Sequence, residues 1–198
     1  AQILASGGIP LTTTAPASSA RGNWAWQFDG SNDSLSLGAV PFQMSDDHFV
    51  VAGAALSAGA GENVVFSIRN SGAGLGNPII AQIDAPSGTP RGVWRDDAGT
   101  IALLNGSGSI YGVKAVMSVV KQGNVKRLRV NGAQAATNST ALGATTVTSC
   151  TVGVTPTATP ASYVNGNLSC VVIGRGTVSD ADLALIERFV ASLQGQTL

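Results

Sequence analysis

The chain has 198 residues and no net charge at neutral pH, because 11 Lys and Arg balance 11 Asp and Glu. Only 11% of the residues are charged, which excludes the clustered positive charge typical of proteins that bind nucleic acid or anionic membranes. No apolar run approaches the ~20 residues of a membrane-spanning helix. The length suits one domain with a substantial core.

The composition favours short strands joined by tight turns, since 25 residues are Gly and Ser, Thr, Ala and Val are abundant. Residues 1–23 differ from the rest, because they contain Gly7-Gly8, Pro10 and Pro16 and show little hydrophobic periodicity. We expect them to form an extended arm or linker, either lying on a neighbouring subunit or mobile. The folded domain is then expected to span 24–198.

Residues 24–37 read WAWQFDGSNDSLSL, a strand pattern that enters a polar turn and leaves as a second strand pattern. Trp24, Trp26 and Phe28 occupy alternate positions, so a strand would place all three on one face. The Asp-Gly-Ser-Asn-Asp segment at 29–33 has the residues that favour turns, since Gly accepts positive φ and Asn and Asp bind nearby amides. We therefore predict a strand, a turn and a second strand.

Further along, short apolar or alternating segments predict a series of strands. Two pairs of these segments flank tight polar turns and predict β-hairpins, one with its turn at 96–99 and one with its turn at 121–124. Residues 133–146 are small and polar and predict a loop or an edge strand. The predicted strands cover 49–56, 64–68, 79–83, 91–95, 100–104, 113–120, 125–130, 148–154 and 168–173.

One helix is predicted near the C-terminus. Ser179 and Asp182 have the spacing of a capping box, in which side chains satisfy the free amides of the first turn. Gly195 suits the end of the helix. An apolar stripe at helical spacing lies between these signals and should pack on the body of the domain: Leu183, Ile186, Val190 and Leu193.

These elements predict an all-β fold, a two-sheet antiparallel sandwich with Greek-key connections and one short C-terminal helix. Three passages also resemble the concanavalin A-like lectin/glucanase superfamily, particularly its laminin-G-like domains in bacteriophage virion proteins. They are the FDGSNDSLSL segment (28–37), the VKRLRVNG segment (125–132) and the VNGNLSCVVIG segment (164–174). Ser34 departs from the resemblance, since an aromatic residue often stands there. The resemblance implies a jelly-roll sandwich.

The residues argue against an enzyme. A glycosidase needs two carboxyl groups about 5 to 10 Å apart, and the glucanases that the chain resembles supply them in an E-x-D-x-E pattern. This chain has only Glu62 and Glu187, and neither has such a neighbour. His48 is the one histidine, and no nucleophile elbow surrounds a serine. We predict a protein without catalytic residues.

A calcium site is the one cofactor that the resemblance suggests. Laminin-G-like and pentraxin relatives can hold calcium with Asp and Asn oxygens from loops, which are ligands that hard cations prefer. Asp29, Asn32 and Asp33 are the candidates. The alternative is that these side chains only build the turn.

A sugar site would need an aromatic side chain for the apolar sugar face and polar groups for the hydroxyls. Trp94 lies between Arg91 and Arg95 and has this chemistry. On a strand, however, Val93 and Trp94 point in opposite directions, and a core tryptophan is the other interpretation. Loop residues that could complete a sugar site are Asn70, Tyr111 and Tyr163.

Cys150 and Cys170 both fall on strand faces that carry apolar residues. They could form a disulfide only if their Cα atoms lie about 4.4 to 6.8 Å apart. Buried free thiols are the expected state for a protein assembled in a bacterial cytosol.

Two functional hypotheses follow. The first is a non-enzymatic structural protein of a bacteriophage virion (tail fibre, baseplate or capsid decoration), assembled in the bacterial host cytoplasm. Its partners would be other virion proteins, copies of itself and a host-surface glycan. The second is a carbohydrate-binding lectin module of a bacterial surface or secreted protein.

Overall fold

The computed structural model describes residues 25–37, 42–59, 61–70, 79–83, 87–155 and 162–198. Trp24 and the predicted arm at 1–23 lie outside this part of the chain. The strands are β1 Trp26–Asp29, β2 Leu35–Ser36, β3 His48–Leu56, β4 Asn63–Asn70, β5 Ile79–Ile83, β6 Pro90–Arg95, β7 Ile101–Asn105, β8 Lys114–Gln122, β9 Val125–Val130, β10 Ala133–Asn138, β11 Val147–Val152 and β12 Asn165–Arg175, and the helix is α1 Asp180–Leu193.

The described strands form two six-stranded antiparallel sheets. Sheet A has the order β1-β12-β3-β8-β9-β10, and sheet B has the order β2-β11-β4-β5-β6-β7. Both predicted hairpins are confirmed, since β6 pairs with β7 and β8 pairs with β9. The predicted sandwich of two antiparallel sheets with one C-terminal helix is therefore confirmed.

The turn after β1 carries the chain from one sheet to the other. β1 pairs with β12 in sheet A, whereas β2 pairs with β11 in sheet B. Phe28 is buried between the sheets and Trp26 packs against the same core. The strand-turn-strand prediction is confirmed, and the two strands belong to different sheets rather than to one hairpin.

Helix α1 covers the outer face of sheet A and makes a third layer. Ser179 Oγ accepts a hydrogen bond from Asp182 N at 3.1 Å, so the predicted cap is present. Leu183 and Val190 are buried against Val51 and Val120 of the sheet. The helix thus closes a second apolar cluster, separate from the core between the sheets.

A buried ion pair fixes the helix on the sheet. Glu187 is 1% exposed, and its two carboxylate oxygens accept hydrogen bonds from Arg129 Nε and Nη2 at 2.8 and 2.9 Å. Ser118 Oγ donates to the same carboxylate at 2.7 Å. A buried carboxylate with this many donors is compensated, whereas removing one partner would leave a charge in an apolar layer.

The two cysteines lie in different layers. Cys150 belongs to the core between the sheets, and Cys170 belongs to the cluster under the helix. Both are free thiols. Burial raises the pKa of Cys150 to about 12, so this thiol stays protonated and unreactive.

The close approach of α1 to β3 requires glycine at position 53. A Cβ atom there would lie 2.5 Å from both Gln194 Nε2 and Ser169 Oγ and 2.8 Å from Val190 Cγ1. We expect Gly53→Ala to lower the free energy of unfolding by ~1–3 kcal/mol, measured by urea denaturation, because the helix must shift.

The matched control is Gly61→Ala. No described heavy atom lies within 4 Å of a Cβ placed at Gly61. This substitution should leave stability unchanged or raise it by less than ~1 kcal/mol. Equal losses in the two variants would contradict the role given to Gly53.

Candidate ligand-binding site

A cavity of about 410 Å³ opens at one end of the sandwich. This size lies in the range of roughly 300–1,000 Å³ typical of ligand pockets. Three segments surround it: the β8–β9 hairpin, the loop before β3 and the loop after β10. The lining residues are Met44, Ser45, Lys121, Gly123, Asn124, Lys126, Leu142, Gly143 and Ala144.

Two lysines of this cavity occupy inward-facing positions of their strands. Lys121 follows Val119 by two residues on β8, and Lys126 precedes Leu128 by two residues on β9. Val119 and Leu128 lie in the core between the sheets. Lys121 and Lys126 are also directly opposite each other in the β8–β9 ladder. Two positive charges therefore face each other where the pattern expects apolar side chains.

Lys121 is held by the loop before β3. Its side-chain ammonium donates to the carbonyl oxygens of Ser45 and Asp46 at 3.2 and 3.1 Å. Asp47 Oδ1 lies 4.0 Å away and also accepts a hydrogen bond from Gly123 N at 2.7 Å. The Lys121 charge is therefore partly balanced by one carboxylate that is shared with the backbone.

Lys126 has no carboxylate partner among the described residues. Its ammonium donates to the carbonyl oxygens of Asn124 and Thr140. The residue is fully covered by its surroundings. Burial, followed by the charge of Lys121, lowers the pKa of Lys126.

The loop after β10, which forms the third wall of the cavity, is held in place by the β6–β7 turn. Asp96 Oδ2 accepts a hydrogen bond from Gly143 N at 2.8 Å, and Asp97 N donates to Ala144 O at 3.1 Å. Asp96 Oδ1 also accepts from Thr100 N at 2.7 Å. The backbone amide of Gly143 is the main cause that lowers the pKa of Asp96. The loop after β10 is thus fixed by the other sheet.

A buried hydrogen bond between the sheets lies at the same end of the sandwich. Trp94 Nε1 donates to His48 Nε2 at 3.0 Å, and both residues are fully buried. His48 Nδ1 contacts Asp46 O at 2.9 Å, and Phe42 stacks on the imidazole at 4.1 Å between ring centroids. Because Nε2 accepts from Trp94, the imidazole is neutral and carries its proton on Nδ1.

The structure corrects the prediction of Trp94 as a sugar platform. The indole is 0% exposed and lies in the core, so it cannot stack on a sugar ring. The alternative interpretation, a core tryptophan, is confirmed. Arg91 and Arg95 are at opposite ends of β6, where Arg91 Nη1 contacts Glu62 Oε1 at 3.4 Å and Arg95 O accepts from Thr145 Oγ1 at 3.3 Å.

The other residues that were predicted to bind a sugar do not lie together at one site either. Tyr111 is half-buried at the end opposite the cavity, where its hydroxyl accepts from Asn63 Nδ2 at 3.1 Å. Tyr163 is half-buried two residues before the start of β12, near the same end. Asn70 is the last residue of β4, and its backbone pairs with Val147 at the cavity end. The six predicted residues are therefore divided between the two ends.

The candidate calcium ligands build their own turn. Asp33 Oδ2 accepts from Asp29 N at 2.9 Å, and Asp29 Oδ1 accepts from Ser31 N at 2.8 Å and Asn32 N at 3.4 Å. No group of three His, Cys, Asp or Glu in the described residues is arranged to hold a metal ion. Calcium binding at this turn stays a prediction.

The cavity lysines were absent from the sequence-based candidates. The signal is present in the VKRLRV segment, where Lys126 shares the face of Leu128 and Val130. An ionised side chain on the apolar face of a strand is the exception that points to a site. Its partner Lys121 could be found only by pairing the two strands across the turn.

No family model matches the chain, and no curated protein sequence matches it. Solved structures do. The CBM40 domain of the Ruminococcus gnavus IT-sialidase, bound to α2,3-sialyllactose, is 15% identical with a TM-score of 0.64 over 84% of this chain and 100% of that domain.

In two further solved structures, the chain matches only a part of a larger protein. The NanB sialidase from Streptococcus pneumoniae is 15% identical with a TM-score of 0.67, over 82% of this chain and 28% of the sialidase. The binding domain of botulinum neurotoxin serotype D is 10% identical with a TM-score of 0.63, over 82% of this chain and 42% of that domain. The chain therefore has the β-sandwich fold of the CBM40 domain. Within the described residues, no helix is long and apolar enough to cross a membrane.

The buried imidazole predicts a pH dependence of stability. Burial lowers the pKa of His48 from its ordinary value of 6.5 to about 4. The unfolded chain therefore takes up this proton first, so the stabilisation is complete above pH 6.5 and is lost as the pH falls towards about 4. The loss should be about 3 kcal/mol, at 1.36 kcal/mol per pKa unit.

Urea denaturation across this pH range, with wild type and His48→Gln, isolates the contribution. Glutamine keeps an acceptor for Trp94 and does not titrate, so the difference in slope between the two proteins belongs to His48. Parallel pH profiles would contradict a neutral imidazole as the source.

Proposed function

We propose that the chain is a non-catalytic carbohydrate-binding module that takes its ligand in the cavity between the β8–β9 hairpin, the loop before β3 and the loop after β10. The observation that carries the proposal is this cavity, which combines polar donors with apolar wall residues on a fold that matches a complete CBM40 domain. Sugars need this combination, because they present hydroxyl edges and an apolar face.

The cavity walls support binding without catalysis. Met44 and Leu142 supply apolar wall residues, and Asn124 and Lys121 supply polar ones. The two glutamates of the chain lie elsewhere in ion pairs, Glu62 with Arg91 and Glu187 with Arg129. The ion-pair partner of each glutamate is an arginine, whereas a glycosidase needs a second carboxyl group about 5 to 10 Å away.

The similar structures favour this function over the hypothesis of a virion structural protein. That hypothesis depends on the laminin-G-like resemblance and on the arm at 1–23, which is outside the described residues. Virion assembly and homo-oligomer formation stay predictions, as does a location in the virion. Recognition of a host-surface glycan would be compatible with either setting.

A glycan array probed with the wild-type protein and Ala144→Trp tests the proposal. Ala144 is exposed and lines the cavity, so an indole there should fill the cavity and weaken glycan binding at least tenfold. Ala133→Trp is the matched control, because Ala133 is exposed at the far end of β10. No glycan bound by the wild type, or equal binding by Ala144→Trp, would refute the proposed site.

A further inference from the structure

Lys121 and Lys126 place two positive charges next to each other in a buried position, and the described residues do not fully compensate them. Like charges directly opposite each other on neighbouring strands are destabilising, and Lys121 and Lys126 hold such positions with 7% and 0% exposure. Low exposure removes the water that would screen their repulsion. The structure therefore bears a cost that two apolar residues would avoid.

The nearby carboxylates do not neutralise the pair. Asp47 is the one described carboxylate within ion-pair distance of either ammonium, at 4.0 Å from Lys121. Asp46 is engaged elsewhere, since its carboxylate accepts from Gln43 N at 2.8 Å and pairs with Arg175 at 2.9 Å. The two ammonium groups thus have one carboxylate within 4.0 Å, that of Asp47 beside Lys121, which leaves an excess positive charge.

The hydrogen-bond capacity of the pair is also incomplete. An ammonium has three donors. Each of the two ammonium groups donates to two carbonyl oxygens of described residues, which leaves at most one further donor on each. Lys121 and Lys126 both line the cavity, which is open to solvent on its other side.

We propose that this cavity is a binding site for an oxyanion, a carboxylate or a phosphate group, which lies against Lys121 and is neutralised by Lys121 and Lys126 together. The inference uses the same cavity as the proposed function, but it does not require the ligand to be a sugar. An oxyanion against Lys121 supplies the missing negative charge and an acceptor for a further donor of that ammonium. Burial, followed by the charge of Lys121, lowers the pKa of Lys126, and no described carboxylate offsets this shift.

Thermal unfolding in Tris chloride at constant ionic strength tests the proposal with three added probes: inorganic phosphate, glucuronate and glucose. At a concentration ten times its Kd, each oxyanion probe should raise the Tm by roughly 3–6 °C. Glucose should leave the Tm unchanged. A Tm increase with phosphate but not with glucuronate indicates a phosphate site. A Tm increase with glucuronate but not with phosphate indicates that the site takes a carboxylate that is carried on a sugar ring.

Lys126→Met is the decisive variant. It should unfold at a higher Tm than the wild type in chloride, because the repulsion is gone, and should lose the increase caused by the oxyanion. Lys121→Met should lose the same increase and serves if Lys126→Met does not fold. Lys114→Met is the control, since Lys114 is the one lysine of the chain outside the pair and lies at the other end of β8.

The outcomes separate this inference from the proposed function. No Tm increase with either oxyanion, or an equal increase in Lys126→Met and the wild type, overturns the oxyanion site. A Tm increase with glucose alone also overturns it and leaves the carbohydrate-binding function standing. Oxyanion binding together with an empty glycan array supports this inference and refutes the sugar function.

Discussion

The hydrogen bond from Trp94 to His48 joins the two sheets inside the core and sets the geometry of one end of the sandwich. Apolar packing brings sheets together without fixing their alignment, because it has no direction. A buried N–H···N bond has a direction and a required distance, and leaving either partner unpaired would cost about 1–3 kcal/mol. The bond therefore ties β6 of sheet B to β3 of sheet A.

The consequences of this bond extend to the cavity. The Asp46 carbonyl lies 2.9 Å from His48 Nδ1 and accepts from the Lys121 ammonium at 3.1 Å. A continuous polar chain thus runs from the buried indole through the imidazole and one backbone carbonyl to the cavity wall. Protonation of His48 would place two donors against each other at Trp94 Nε1. The neutral imidazole is thus a structural requirement, and the loop that holds Lys121 depends on it.

The two faces of sheet A serve different purposes. Its outer face is covered by the helix and stabilised by the Arg129–Glu187 pair, in which charge is matched inside an apolar layer. Its inner face ends in Lys121 and Lys126, where one carboxylate only partly balances two positive charges beside an open cavity. The same strands therefore carry a compensated ion pair on one side and a pair of like charges with incomplete compensation on the other. Unmatched charge that is kept at a cavity is what a ligand of opposite charge would use.

Local sequence determined the elements of this protein. Alternation and turn residues were sufficient for the hairpin at 121–124, and the capping box at Ser179 was sufficient for the start of the helix, because these signals act between residues close in the chain. The two sheets and the C-terminal helix followed from that pattern. Only the tertiary structure decided that Trp94 lies in the core and that Lys121 faces Lys126 at a cavity. Those outcomes depend on which strands become neighbours, and residues distant in the chain determine that pairing.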